Sequence, residues 1–399
     1  MICVTPPVTL WRMSPLTSPS LSRRGALGVL ASAVALPLVA APAAQAAGSM
    51  PTPSDTPPLA AIRDLADMLR ELRKLERTSR GAIRVATLAE VGTAEAHSEQ
   101  GRDLYVALVG HGPRHVWLQG RIHGNEPYGL DATLDVLASL GGNGSPAYRR
   151  MREEFTVHVI PMYNPDGSEA NTRGTTLWDR EADAPLLDGR GRPRTVDLNR
   201  DWGVGRFQAR ESRAWYEYWT MVKPEFALDI HHQWLKQDWV TGEDVTLSLG
   251  VSLAPGGPTL PSIRGGEYDR LARQLAGHVW LETLHRGHIS TDRYDVGENT
   301  VIDIHGGVVS AMMMGLDWNG LNPTGHSNVA IFFETSGNTN SLGHKARGKL
   351  VQQNVLAVTA ALDGMATGAV QQVDPAVWDR IPHTPVKYYS TDYAGLIPA

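Results

Sequence analysis

Cysteine is almost absent from this chain: its 399 residues include one, Cys3, close to the N-terminus. A disulfide framework and a thiolate metal site are therefore excluded, and any metal must be held by imidazoles and carboxylates. Excess charge of one sign is missing too. The formal net charge is −5 and is spread along the sequence, without the basic stripe that a nucleic-acid partner requires. Long apolar runs are also scarce; one stands out, from Gly25 to Ala41, and it is short of a comfortable membrane span. Phenylalanine is sparse at five residues, but 42% of the chain is hydrophobic and eleven tryptophans supply bulk, enough for a large core. Histidine is plentiful, at 14.

The apolar run follows Ser22-Arg23-Arg24 and ends in Ala44-Gln45-Ala46. A charged region, a hydrophobic region and an A-x-A site in that order read as a cleaved export signal over residues 1–46. The paired arginines resemble the twin-arginine signal, which implies bacterial export, secretion of an already folded protein and no stable membrane association after cleavage. Removing residues 1–46 takes away Arg12, Arg23, Arg24 and Cys3 but no acid, moving the net charge from −5 to −8. Residues 47–58 are rich in Pro, Ser and Thr and read as a flexible lead-in. Residues 59–372 form the body, and 373–399 a tail lying along the surface.

Within the body, apolar spacing predicts helices over 60–75, 127–140, 212–221, 268–284 and 344–362, the second ending at Gly141-Gly142. Strands are predicted over 104–108, 115–118, 155–160, 226–230 and 328–333. The alternation predicts an α/β fold: a single domain whose central mixed, largely parallel sheet is flanked by helices. The segment 233–327 is long enough to add a hairpin and a helix.

Four predicted strands run into polar groups. His123-Gly124-Asn125-Glu126, Asn164-Pro165-Asp166-Gly167, Asp229-Ile230-His231-His232 and Glu334-Thr335-Ser336-Gly337 each follow one. Parallel sheets bind ligands at the carboxyl ends of their strands, so one shared cleft is expected. His123, Glu126 and a further histidine would leave one coordination position open, as catalytic zinc requires. His231 and His232 compete for that place, because adjacent strand residues point to opposite faces. Glu334, emerging from Ile331-Phe332-Phe333, is a carboxylate placed for partial desolvation, which suits a general base.

These pieces, together with Ser98-Glu99-Gln100-Gly101-Arg102 upstream, Asp197-Leu198-Asn199-Arg200-Asp201 and Asp317-Trp318, resemble in order the zinc carboxypeptidase family of funnel-type α/β metallopeptidases. The resemblance covers roughly residues 55–365. It implies one Zn2+ per chain on His123, Glu126 and His231, with Glu334 as general base and acid. It implies that Asn199 and Arg200 bind the substrate's terminal carboxylate. Arg173 is the first choice for the arginine that stabilises the oxyanion, and Arg180 the second. The tyrosine that caps bound substrate in digestive members has no counterpart in Val309–Met314. Leu316 sits where the resembled family sets the base of the side-chain pocket, with Asp317 beside it; this implies preference for apolar C-terminal residues.

The expected protein is thus a secreted metallocarboxypeptidase acting on peptide substrates. Two other functions stay open: a murein peptidase cutting cell-wall stem peptides, and an amidohydrolase or deacylase acting on N-acyl amino acids.

Overall fold

In the computed structural model, eight strands form one sheet: β1 (Ile83–Thr87), β2 (Tyr105–Gly110), β3 (Arg114–Gly120), β4 (Phe155–Ile160), β5 (Phe226–Gln233), β6 (Leu247–Val251), β7 (Thr291–Arg293) and β8 (Val329–Ser336). Their spatial order is β1-β2-β4-β3-β5-β8-β6-β7. The central run β4-β3-β5-β8 is parallel throughout, as is β6-β7, whereas β1-β2, β2-β4 and β8-β6 are antiparallel. The structure describes residues 62–202, 207–233, 236–238, 241–251, 266–286, 289–294, 308–314, 326–336, 344–383, 388–391 and 395–398. All of these lie in one compact unit, Ser49–Ala399. The export signal and the lead-in fall outside the described residues.

Helices cover both faces: α1 (Leu65–Thr78), α2 (Tyr128–Gly142), α3 (Pro146–Glu154), α4 (Pro165–Ala170), α5 (Arg210–Val222), α6 (Glu267–Thr283), α7 (Val308–Met314) and α8 (His344–Thr367). Strand β5 shows how the faces divide, because successive side chains alternate. Phe226, Leu228 and Ile230 enter a core shared with α1, α2, α3, α6 and α8. Ala227 enters a second core with Trp215 and Trp219 of α5 and Val308 and Met312 of α7. Burying each large apolar side chain contributes about 1.5–3 kcal/mol, so both layers are firmly held. Asp229 and His231 continue the second face toward the carboxyl end of the strand.

The predicted elements exist, with shifted ends. Strand β5 runs three residues past Ile230, through both histidines. Strand β8 runs to Ser336, so Glu334 lies inside it rather than beyond it. The reason is pairing: β8 is laddered on β5 on one side and β6 on the other, with Glu334 opposite both His231 and Ser248. Helix α2 takes in Gly141 and Gly142 and closes at Asn143. The segment 164–167 is a short capped helix start and not an open turn, with Asn164 Oδ1 accepting from Gly167 N at 2.8 Å. The segment read as a surface tail starts in the core instead, because Val377, Trp378 and Ile381 are buried apolar residues packed there. Strands β1, β6 and β7 and helices α3, α4 and α7 are additions to the predicted ranges. The expected hairpin between 233 and 327 is present at Lys236–Gln237 and Asp244–Val245.

Candidate metal centre

The loop from β3 to α2 carries His123 and Glu126, and β5 carries His231. All three are buried, at 2%, 4% and 3% exposure, too little for three unpartnered polar groups. Their donor atoms converge. His123 Nδ1 lies 2.7 Å from Glu126 Oε1 and 3.3 Å from His231 Nδ1, and His231 Nδ1 lies 3.2 Å from Glu126 Oε2. Among the described residues this is the one such group able to hold a metal ion. Tetrahedral zinc with ligands at about 2.0–2.1 Å sets them about 3.3–3.4 Å apart; the 3.3 and 3.2 Å separations match this, whereas the 2.7 Å one is closer and would open on binding an ion.

Both imidazoles turn the other nitrogen onto an aspartate. His231 Nε2 meets Asp229 Oδ2 at 2.8 Å, and His123 Nε2 meets Asp197 Oδ1 at 3.2 Å. A carboxylate at Nε2 holds the proton there and leaves Nδ1 as the donor to the metal, which fixes tautomer and ring angle together. Burial raises the cost of charge on Glu126, yet His123 and His231 outweigh it and hold the carboxyl well below its ordinary value. His231 shows the mirror effect: burial lowers it, and Asp229 and Glu126 raise it well above the ordinary imidazole.

His232 faces the other side. Its Nε2 accepts from Tyr128 N at 3.0 Å and its ring stacks on the Tyr128 ring at 4.7 Å, beneath α2. Burial pushes it down to about 3, so it is neutral and structural.

Glu334 stands directly across from His231 on the same face of the sheet. Burial pushes its carboxyl up to about 8; His231 and Arg173 pull it back, and Glu126 pushes it further. A cation in the adjacent cluster would draw it down toward neutrality. That is the range a general base needs.

The segment Asp197–Asp201 forms a tight turn, Leu198–Arg200, capped by Asp197 Oδ1 on Asn199 N. Asp197 also accepts from Arg173 Nε at 3.0 Å, and Arg173 Nη1 stands 3.6 Å from Glu126 Oε1. Arg173 is therefore at the cluster. Arg180 is not: its guanidinium donates to the main-chain oxygens of Ser98 and Glu99. Asn199 Oδ1 accepts from Val308 N at 3.0 Å, docking the turn onto α7, and Arg200 Nη1 donates to Asn199 O. Leu316, Asp317 and Trp318 lie outside the described residues.

Tyr294, just past β7, escaped the sequence reading. Its N–H donates to Leu249 O, and its ring packs edge-on against Phe332, 5.3 Å between centroids. Phe332 in turn lies edge-on to His231 and over Gly250, where a Cβ would come within 2.0 Å of the ring. Burial and the Glu334 carboxylate raise the Tyr294 phenol, while Arg173 and Arg200 lower it. The hydroxyl thus shares the electrostatic surroundings of the general-base candidate and both arginines.

The motif Ser98–Arg102 acts as scaffold. Asp166 accepts from Ser98 Oγ, Gln100 N and Arg102 Nη1, while Glu99 accepts from Trp178 N and from Arg210 N at the start of α5.

Residues 82–220 match the family model described as zinc carboxypeptidase. Over those residues the chain is similar to the zinc carboxypeptidase family. Its matched region ends before His231 and Glu334, which stand opposite each other on β5 and β8. A probable carboxypeptidase 2 of Arthroderma benhamiae is 46% identical over 117 residues, 29% of this chain and 18% of that one. Carboxypeptidase Z of Mus musculus is 30% identical over 144 residues, 33% of this chain and 20% of that one. The matched stretches thus span a fifth or less of these two curated relatives. In fold, the chain resembles the carboxypeptidase A from Helicoverpa armigera, with a TM-score of 0.53 at 15% identity over 78% of this chain and 75% of that one.

Proposed function

We propose that this chain is an exported zinc-dependent metallocarboxypeptidase that hydrolyses the C-terminal bond of peptides, with one zinc ion on His123, Glu126 and His231. The observation that carries the reading is convergence: three buried donor atoms within 4.8 Å of one another, with a buried carboxylate in register beside them.

A zinc ion in this cluster supplies Lewis acidity to a substrate carbonyl and lowers the pKa of water toward neutrality. Glu334 takes the proton from the attacking water and passes it to the leaving amine, a task its raised pKa suits. Arg173, beside Glu126, offers the guanidinium that meets negative charge developing on the carbonyl oxygen. Asn199 and Arg200 hold the terminal carboxylate, for which a planar guanidinium fork is well shaped. Asp197 and Asp229 hold the imidazoles in place. The family resemblance, rather than any described geometry, assigns Leu316 to the side-chain pocket, and an apolar residue there would favour apolar terminal residues.

The export proposal rests on residues 1–46: a twin-arginine, apolar and A-x-A series followed by a body without cysteine. Fractionation of the producing cells, with sequencing of the mature N-terminus, tests it. Export predicts a start at Ala47 and protein outside the cytoplasm; an intact N-terminus inside the cell contradicts it.

For the activity, free amino acids released from a peptide set ending in Leu, Lys, Glu and Leu-amide are measured before and after chelator dialysis. The proposal predicts fastest release of Leu, none from the amide, loss with chelator and recovery with zinc. Full release by rigorously metal-free protein overturns it.

A further inference from the structure

Arg121 is the second residue before His123, and four observations set it apart. Its side chain is fully buried, with 1% of the residue exposed. Its backbone is left-handed, at φ 55°, a region that side chains other than glycine, asparagine and aspartate seldom occupy. Its guanidinium donates to main-chain oxygens on three separate segments: Nε to Gly124 O at 3.0 Å, Nη1 to Arg63 O at 2.6 Å and Nη2 to Ser168 O at 3.2 Å. The acids around it, Asp131, Glu169 and Asp64, raise its pKa through space, yet burial dominates and lowers it to about 10, so it stays charged.

A buried cation with this partner set is costly unless its donors are matched, and here the fork is spread over three carbonyls. Those carbonyls bracket the metal loop. Gly124 lies between His123 and Glu126. Ser168 belongs to α4, whose start packs so closely on the loop that a Cβ on Gly124 would fall 2.0 Å from Gly167 C. Arg63 precedes α1 and is itself paired with Asp131 of α2 at 3.1 Å. The main chain of Arg121 joins in, its oxygen accepting from Asn164 N at 3.2 Å. A strained backbone residue persists where its surroundings over-determine it, and such positions cluster at functional sites.

We infer that Arg121 is a positioning residue for the metal centre: its guanidinium clamps the loop 121–126 between α1 and α4 and thereby fixes His123 and Glu126 at the separation a zinc ion needs. This rests on the reading that those residues bind zinc. Lysine offers a compact charge in place of a planar fork and cannot reach three divergent carbonyls together. Glycine accepts the left-handed backbone without strain, so Arg121→Gly removes the clamp alone.

The test is zinc affinity by chelator competition in the purified, folded chain, for the native sequence, Arg121→Gly, Arg121→Lys and Val157→Ala. The last opens a cavity in the far core and controls for general destabilisation. Zinc binding by Arg121→Gly is expected to weaken about 10- to 100-fold, with Arg121→Lys between it and the native chain. Val157→Ala should bind as the native chain does while its metal-free melting temperature falls. Native affinity in folded Arg121→Gly overturns the inference, and so does equal weakening in Val157→Ala. If Arg121→Gly fails to fold, Arg121→Lys decides on the same terms. A native chain that binds no zinc at all overturns the metal reading itself, a separate outcome.

Discussion

His231 and His232 are neighbours in one strand and serve opposite sides of the sheet: His231 Nδ1 is 3.2 Å from Glu126 Oε2, whereas His232 Nε2 accepts from Tyr128 N at 3.0 Å. The two substitutions should therefore separate cleanly. His231→Ala removes a donor and should abolish stoichiometric zinc. His232→Ala should keep zinc but leave the Tyr128 N–H unpaired in the interior, lowering stability by about 1–3 kcal/mol. Metal analysis and denaturant unfolding of both variants check this. Zinc lost from the His232 variant alone would reverse the assignment.

The two arginine candidates differ in the same way. Arg173→Ala should lower kcat about 10²- to 10³-fold, the usual loss for a donor aimed at a developing oxyanion. Arg180→Ala strips donors from the Ser98 and Glu99 carbonyls, so it should cost stability and change kcat by a few-fold at most. Steady-state kinetics on one peptide resolve the pair; a larger kcat loss in the Arg180 variant contradicts the placement.

Tyr294 packs on Phe332, which lies against His231, and Glu334, Arg173 and Arg200 act on its phenol through space. Tyr294→Phe keeps the ring against Phe332 and deletes one hydrogen-bonding group. Loss of such a bond amounts to about 0.5–1.5 kcal/mol, so KM should rise about 2- to 10-fold with kcat little changed. An unchanged KM removes Tyr294 from the site.

Much of the buried cluster was legible because its residues follow strands whose apolar patterns are strong. His123 and Glu126 are three residues apart at a strand-to-helix junction, and alternation along β5 separates His231 from His232. Other features depend on partners distant in sequence. Nothing around Thr291–Tyr294 marks a strand; it exists because Leu247, Ser248 and Leu249 pair with it. Glu334 looked like a residue beyond a strand because Thr335 and Ser336 are polar, yet β5 and β6 carry the ladder through them. The Asp229 and Asp197 contacts to the His231 and His123 imidazoles were visible as motif letters without their geometry. Arg121 gave no signal, since a left-handed backbone and three main-chain acceptors leave no mark on residue spacing.

Buried groups make stability depend on pH, among them His158, His232 and Glu211. His158 accepts or donates at both ring nitrogens, to His115 and Tyr218, and burial lowers it from 6.5 to about 3. The unfolded chain then takes up a proton that the folded chain refuses, so stability falls as pH drops from about 6.5 toward 3, by up to about 1.4 kcal/mol per pH unit. His232 acts in the same direction. Burial raises Glu211 from 4.5 to about 8, helped by Asp166 and Glu99. The folded chain keeps this proton where the unfolded chain loses it, so stability falls as pH rises from about 4.5 to 8. Urea unfolding across pH should show His158→Gln flattening the acid slope and Glu211→Gln the alkaline one. Slopes unchanged by either substitution contradict these assignments.

The most direct test of the account is the rate at which Glu334→Gln, loaded with zinc to the same content as the native chain, releases the terminal residue from a peptide ending in Leu. A neutral amide cannot take the proton from water, and its ligands are untouched. The account predicts one zinc per chain in both proteins and release slowed about 10²- to 10⁴-fold in the variant. Release at the native rate by zinc-loaded Glu334→Gln would contradict it.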